Sequence, residues 1–383
     1  MHATTGFVSG TLVQEECVDS QCYEVERQIG ETVVFDGGNP TVTGTARYSE
    51  ALFTFNSGNA GTDFDIAGTL EASGDAASID IIHMGSVHLG SVRALGALGA
   101  QAPHVADVAN YGPPVDNPSV TPMGPFTTEA IGAVSSVTIG FADGGTPSSV
   151  TIDGDVQVQG TGLVGAVIQG NTVSIGGTIS LQHDAGRYTS DDPAHSVPPP
   201  DFAAALLYVG GVGTPATVTG IDAQVDGRLV TGLDVIASGA VTLQADRLTQ
   251  TLPGVYSDFV HPASVNEGES GNPDLVFDPL NIQADSITLD FGTDSDLRDA
   301  ALTAAGTLMV NGHGASLDLG TASWSADSLS IQNTTITALA FNATANRELR
   351  IIGGRLNTDS AMLRTLSASG AGILIDHSTL DFD

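Results

Sequence analysis

A long neutral stretch of alternating small and aliphatic residues limits this chain to β-structure. Residues 150–184 read VTIDGDVQVQGTGLVGAVIQGNTVSIGGTISLQHD, and no charged residue lies between Val156 and His183. Apolar residues at every second position are typical of strands that bury one face. Glycines divide the stretch, so we predict turns at Asp153-Gly154, Gly160 to Gly162, Gly170-Asn171 and Gly176-Gly177.

The alternation also predicts which side chains point inward. The expected core aliphatics are Val156, Val158, Val173, Ile175, Ile179, Leu181, Ile287, Leu289, Leu317 and Leu329. The polar positions between them in the neutral stretch are Gln, Thr and Ser. Such an outward face can lie against a neighbouring subunit, because burying an unpaired charge is costly. We therefore expect the acidity to be carried on loops and exposed turns.

Composition extends the β prediction to the whole chain. The 383 residues include 47 glycines and only 5% aromatics, and long helical periodicity is scarce. We predict an all-β protein of Gly/Asp-turn-rich β-sandwich or β-solenoid modules, with long Pro-rich loops and at most a few short helices. Residues 201–211, with Asp201 as N-cap, and residues 357–370, with Gly370 as stop, are the predicted helices.

Proline-rich segments predict the domain boundaries, because proline cannot donate to a strand ladder. We predict an N-terminal β module (1–94), a Pro-rich linker (95–130), a central β module (131–251) with a further Pro/Asp loop at 184–201, a loop (252–280) and a C-terminal β module (281–383). In the C-terminal half the sequences LQADRLT, IQADSITL and WSADSLSI place Ala245, Ala284 and Ala326 about 40 residues apart, which indicates stacked units.

The formal net charge of -33 comes from a shortage of bases. Asp and Glu number 44, whereas the 11 basic residues are all Arg. Such a surface repels nucleic acid and anionic membranes, and it suits high salt, divalent cations or a genome that disfavours Lys codons. The N-terminal sequence MHATTGFVSG resembles no signal peptide, and no apolar stretch is long enough for a membrane span. We expect synthesis in the cytoplasm and no membrane insertion.

Cys17 and Cys22, in the sequence CVDSQC, are the two cysteines. Their spacing allows a small disulfide that closes a hairpin, and free thiols are the alternative. Without a nearby pair of histidines the two thiols make a poor zinc site.

Two Asp clusters are the candidate metal ligands. Asp63 and Asp65 lie in GTDFDIAG, which resembles half of a repeats-in-toxin calcium turn, and DSDLRD contains Asp294, Asp296 and Asp299. Alternate strand residues face the same way, so their oxygens could converge on calcium. A solvated turn is the alternative reading of each cluster, and no other cofactor is predicted. His83 and His88 are five residues apart, which sends their rings to opposite faces of a strand.

No motif identifies an enzyme. The sequence GGVGTP at 210–215 matches a dinucleotide-binding loop only in its glycines, because strand-like residues follow Pro215. The best catalytic candidates share one loop and are suited to glycoside hydrolysis or uronate elimination: Arg187, Tyr188, Asp191, Asp192 and His195. With one Trp and no Lys to hold an acidic sugar, the chain is predicted not to be an enzyme. A polysaccharide-active β-helix enzyme stays open as an alternative.

In its short neutral strands, Asp/Gly/Asn turns and long proline loops, the chain resembles structural proteins of tailed viruses. These are fibre, spike, tail-tip or capsid-decoration subunits. The resemblance implies a homo-oligomer, commonly a trimer, that is part of the virion, docks to other virion proteins and serves host attachment. A host surface glycan would be a further partner. A halophilic or high-GC host would account for the absence of lysine. A calcium-stabilised surface-layer or adhesin protein is the other alternative.

Overall fold

The computed structural model describes residues 3–18, 21–36, 49–57, 63–74, 76–98, 134–140, 147–161, 163–184, 203–250, 280–366 and 372–382. Every regular element in these ranges is a β-strand, so the predicted all-β class is confirmed. The described part of the chain holds no helix long and apolar enough to span a membrane.

The strands in chain order are β1 (Ala3–Val18), β2 (Gln21–Asp36), β3 (Ser49–Ser57), β4 (Phe64–Ser73), β5 (Ala76–His83), β6 (Ser86–Leu95), β7 (Val134–Ile139), β8 (Ser149–Ile152), β9 (Val156–Gly160), β10 (Leu163–Gly170), β11 (Val173–His183), β12 (Ala203–Gly211), β13 (Ala216–Ala237), β14 (Ala240–Gln250), β15 (Asn281–Ala284), β16 (Ser286–Phe291), β17 (Ser295–Asp296), β18 (Ala301–Ala304), β19 (Thr307–Asn311), β20 (Ser316–Gln332), β21 (Thr335–Ile352), β22 (Arg355–Thr365), β23 (Ile373–Asp376) and β24 (Thr379–Phe382).

From β3 onward the chain winds as a parallel β-solenoid. Each strand pairs in parallel with a strand one coil later: Ile287 of β16 lies beside Leu308 of β19, and Leu308 lies beside Leu329 of β20. These three positions are evenly spaced along the chain, as equal coils require. Three of the four predicted turns of the neutral stretch fall between strands β8 to β11 and are confirmed. The predicted turn at Gly176-Gly177 is wrong, because β11 continues through it with a register shift where the strand bends from face I to face II.

Each coil has three sides, and long strands bend from one side to the next. Face I consists of 64–66, 86–89, β8, 173–175, 216–218, 234–237, β15, β18, 321–326, 340–345 and 360–365. Face II consists of 69–73, 91–95, β9, 178–183, 220–225, 240–245, β16, β19, 328–332, 348–352 and β23. Face III consists of β3, β5, β7, β10, β12, 228–233, 247–250, β17, 316–318, 335–338, 355–358 and β24.

The core is one continuous cluster inside the coils. All ten predicted inward aliphatics are buried, with at most 4% exposure, so that prediction is confirmed. The largest core side chains pack with specific geometry. The rings of Trp324 and Phe341 meet edge to face with centroids 5.0 Å apart, an arrangement that aromatic pairs favour.

At the corner between faces II and III the backbone takes left-handed conformations in successive coils. The φ angles of His313, Asn333, Gly353 and His377 are 50°, 46°, 64° and 48°. The coils are tied there by backbone bonds: Asn333 donates to the Ile352 carbonyl at 2.9 Å, and Gly353 donates to the Asp376 carbonyl at 2.9 Å. Glycine adopts this conformation without steric cost, and Asn and His are among the other residues most often found in it, which accounts for their use at this corner.

The first predicted helix, 201–211, is wrong. Its described residues form β12, which lies in parallel between β10 and β13. Both sides of β12 are buried: Leu207 points into the core, and its neighbours Leu206 and Tyr208 are 0% and 8% exposed on the opposite side. An apolar run without alternation cannot be assigned to helix or strand by periodicity.

The second predicted helix, 357–370, is also wrong in its described part, which belongs to β22. Leu356 and Thr358 are buried before the bend from face III to face I. After the bend Ala361 and Leu363 pack against the core. The bend shifts the alternation by one residue, and the resulting mixed spacing imitates a helical period.

The strand ladder continues across the long proline-rich segments. Leu89 pairs with Ile152, Ala166 with Leu207, and Val235 with Ile282. The predicted domain boundaries stay a prediction. The predicted repeat between Ala284 and Ala326 corresponds to two coils, because Ala304 occupies the coil between them. Ala245 does not belong to this repeat, because it lies on face II beside Phe291, whereas Ala284 lies on face I.

Candidate functional site

A row of amide side chains runs along the outer side of face II. Seven consecutive coils place six amides and one carboxylate at the same register, each beside the next: Gln159, Gln182, Gln224, Gln244, Asp290, Asn311 and Gln332. We call these residues the amide row, with Asp290 its one carboxylate. Neighbouring strands lie about 4.8 Å apart, so the polar groups repeat at that interval.

A second outward row lies two residues earlier on the same strands. We call it the hydroxyl row because four of its seven side chains are Ser or Thr. It consists of Gln157, Ser180, Asp222, Thr242, Thr288, Met309 and Ser330. The two rows are bonded to each other in places. Gln332 Nε2 donates to Ser330 Oγ at 3.0 Å, and Gln224 Nε2 donates to Asp222 Oδ1 at 3.3 Å.

The charge of the chain largely avoids these two rows. Asp222 and Asp290 are their only ionisable members, and each has a polar neighbour, Gln224 and His313 respectively. Many other described acids stand at corners or register shifts: Asp153, Asp155, Asp184, Asp226, Asp246, Asp285, Asp294, Asp299 and Asp327. From Gln157 to Gln332 the outer side of face II therefore carries only two charges, and the coils on either side of this region carry the ion pairs Arg93–Glu71 and Arg350–Glu348.

An open depression of about 650 Å³ adjoins the amide row at the corner between faces II and III. Three coils line it, through Arg247, then Gly292 to Asp294, then His313 to Ala315. Nε2 of His313 lies 2.8 Å from Asp290 Oδ1 and 3.0 Å from Asn311 Nδ2. The amide row thus continues into a shallow polar hollow that holds one guanidinium and one imidazole.

On face I the His88 ring links three coils. Nδ1 lies 3.1 Å from Asp65 Oδ1, and Nε2 lies 3.0 Å from Asp153 Oδ2. The hydrogen bond to Asp153, with the charges of both carboxylates, raises the pKa of His88. Asp65, one of the predicted calcium ligands, is thus in contact with the His88 ring. His83 is buried inside, against the rings of Phe55 and Phe64, so the two histidines lie on different faces.

Asp80 is a half-buried acid on the outer side of face III. Its Oδ1 has no hydrogen-bond partner among the described residues. Burial raises the pKa of this carboxyl to about 6, because a low-dielectric environment disfavours the charged form.

The other predicted calcium ligands take part in local contacts. Asp294 accepts a bond from the Ser316 amide at 2.8 Å, and Asp299 accepts one from the Thr321 amide at 3.0 Å. Arg298 Nη2 lies 3.2 Å from Asp296 and 3.5 Å from Asp318. Asp63 directly precedes β4. In the described ranges no group of three or more His, Cys, Asp or Glu is placed to hold a metal ion, and calcium at these residues stays a prediction.

The N-terminal hairpin puts the two cysteines in register. In the antiparallel pairing of β1 with β2, Cys17 lies directly opposite Cys22, and residues 6–8 of β1 pair with residues 49–51 of β3. A disulfide between the cysteines stays a prediction. The predicted catalytic group Arg187, Tyr188, Asp191, Asp192 and His195 lies outside the described residues.

The comparisons with known proteins add no relative. A scan against protein-family models finds no matching family, and searches of curated proteins and of solved structures find no significant match.

Proposed function

We propose that this chain is a non-enzymatic structural protein of a virion, a tail fibre, spike or capsid-decoration subunit that associates with copies of itself and docks to other virion proteins. The observation that supports this most is the low charge of the outer side of face II between Gln157 and Gln332, which holds two carboxylates in a chain of net charge -33. A solenoid with flat sides and acidic corners is suited to side-by-side association, because its sides can meet without bringing the corner charges into contact.

Static light scattering on the full chain tests the assembly part of this proposal. We expect a stable oligomer whose mass is a whole multiple of 38.8 kDa. Raising the salt concentration should strengthen it, because salt screens repulsion between acidic copies. A monomer at every protein and salt concentration would count against the proposal.

The gene neighbourhood tests the virion part separately. A portal, capsid or tail gene beside this one is the expected result. Neighbours that encode only polysaccharide metabolism would contradict it.

A further inference from the structure

We infer that the amide row is the seam at which a second copy of this chain docks, with row lying against row. This inference rests on the proposed function and specifies the surface and the partner. The seam is the outer side of face II from Gln159 to Gln332.

The chemistry of the row points to a second copy as the occupant. A carboxamide both donates and accepts hydrogen bonds, so a row of carboxamides is complementary to itself. Two copies related by a two-fold axis bring the same patch into contact with itself. The repeat of about 4.8 Å is identical in both copies, so donors and acceptors can match along the whole seam.

Electrostatics favours face II over face III, and the six carboxamides of its amide row favour it over face I. A second copy carries the same charge of -33, and like charges brought together across an interface cost several kcal/mol. The outer side of face III carries Asp296 and Asp318. On face I an uncharged row also runs over eight coils, but only one of its side chains, Gln283, is a carboxamide. This row consists of Thr151, Ser174, Thr217, Ile236, Gln283, Thr303, Ser325 and Thr344.

The seam is large enough for a reversible pair. Seven coils span about 29 Å along the solenoid, and a five-residue strand spans about 16 Å across it. The plan area is therefore about 460 Å² per copy, or about 920 Å² for a pair, which is the size of a reversible interface.

The depression beside His313 extends the same surface. Its open volume of about 650 Å³ gives a side chain of the facing copy room to enter without displacing the backbone. Gly314, on its rim, has no atom within 4 Å of the position that a Cβ would take.

A charge-swap experiment tests the seam on the full chain. The triple variant Gln182→Glu, Gln224→Glu, Gln244→Glu puts three acids on adjacent coils of face II, where the wild-type side chains are exposed. Sedimentation equilibrium should show an increase in the dissociation constant on the order of 100-fold. The matched control is Thr303→Glu, Ser325→Glu, Thr344→Glu, which adds the same charge on adjacent coils of face I and should assemble like the wild type.

A complementary variant identifies direct contact. The triple Gln182→Lys, Gln224→Lys, Gln244→Lys should restore association when mixed with the Glu triple, because rows of opposite charge then face each other. Circular dichroism confirms that each variant folds. If the wild type is oligomeric and the face II triple assembles as well as the control, the seam is overturned while the assembly proposal stands. A wild type that is monomeric throughout overturns both.

Discussion

Faces II and III share one backbone geometry and differ in what their outer sides contact. On face II buried aliphatics alternate with exposed or half-buried Gln, Thr and Ser. On face III, β12 and residues 228–233 of β13 have buried residues on both sides, including Leu206 and Val230, which lie beside each other and outside the main core cluster. The difference shows that one solenoid strand can be either amphipathic or fully buried, according to the side on which it lies.

The strongest test of this difference removes one outward side chain from each face. Leu206→Ala on face III should lower the free energy of unfolding by about 2–4 kcal/mol, because it leaves a cavity in a buried layer. Thr288→Ala on face II should change it by less than about 0.5 kcal/mol. Urea denaturation of both variants measures the difference. Equal small effects would mean that the outer side of face III contributes nothing to stability.

The second test makes the same substitution on both faces. Asp80→Asn on face III should raise the free energy of unfolding at neutral pH by about 1–2 kcal/mol, because it removes a charge that partial burial disfavours. The control is Asp222→Asn on face II. The Asp222 carboxylate accepts a hydrogen bond from Gln224 in an exposed position, so this substitution should leave stability nearly unchanged. Urea denaturation at neutral pH measures both variants. A loss of stability in Asp80→Asn would contradict the expectation.

The pH dependence of Asp80 follows from the sign of its shift. Its folded pKa of about 6 lies above the unfolded value of 3.8. Between these values the folded chain binds the proton more tightly, so this group makes stability fall as the pH rises from 3.8 to about 6. The Asp80→Asn variant should lose this dependence in urea titrations at pH 4.5 and 7.5. A variant with the wild-type slope would contradict the assignment.

The smallest effect is expected on face I, where His88 links three coils. Its folded pKa is raised, so the contribution is fully present below the unfolded pKa of about 6.5 and is lost as the pH rises through the folded pKa. His88→Gln should lower the melting temperature at pH 6 more than at pH 9. His377→Gln, an exposed histidine beside Asp376, is the control. An equal loss at both pH values would show that charge plays no part.

The difference between faces II and III also explains which parts of the fold could be predicted from the sequence. Alternation identified the core of face II and the turns around it, because one side of each strand there faces polar surroundings. The amide row also had a signal that was missed, since an aliphatic, one residue, an aliphatic and then Gln, Asn or Asp recurs in ISLQ (179–182), VTLQ (241–244), ITLD (287–290), LMVN (308–311) and LSIQ (329–332).

The helix predictions failed where the polar signal is absent or displaced. β12 is buried on both sides, and β22 changes phase at its bend. The choice between sandwich and solenoid could not be made from the sequence, because both produce the same alternation. Only the pairing of Ile287 with Leu308 and of Leu308 with Leu329 distinguishes them. The contact of His88 with Asp65 and Asp153 joins residues from separate coils, which local patterns do not encode.

The continuation of the ladder across the long segments has a consequence for folding rate. Ile152 pairs on one side with Ile175, which follows it closely in the chain, and on the other with Leu89, which precedes the whole Pro-rich segment 95–130. Closing the longer loop costs only about 0.9 kcal/mol more chain entropy, so equilibrium stability tolerates such insertions. Such insertions slow folding instead, because contacts between residues far apart in the chain form later than local contacts. We expect the coils of 280–366, whose partner strands follow one another closely in sequence, to form first and to template the rest.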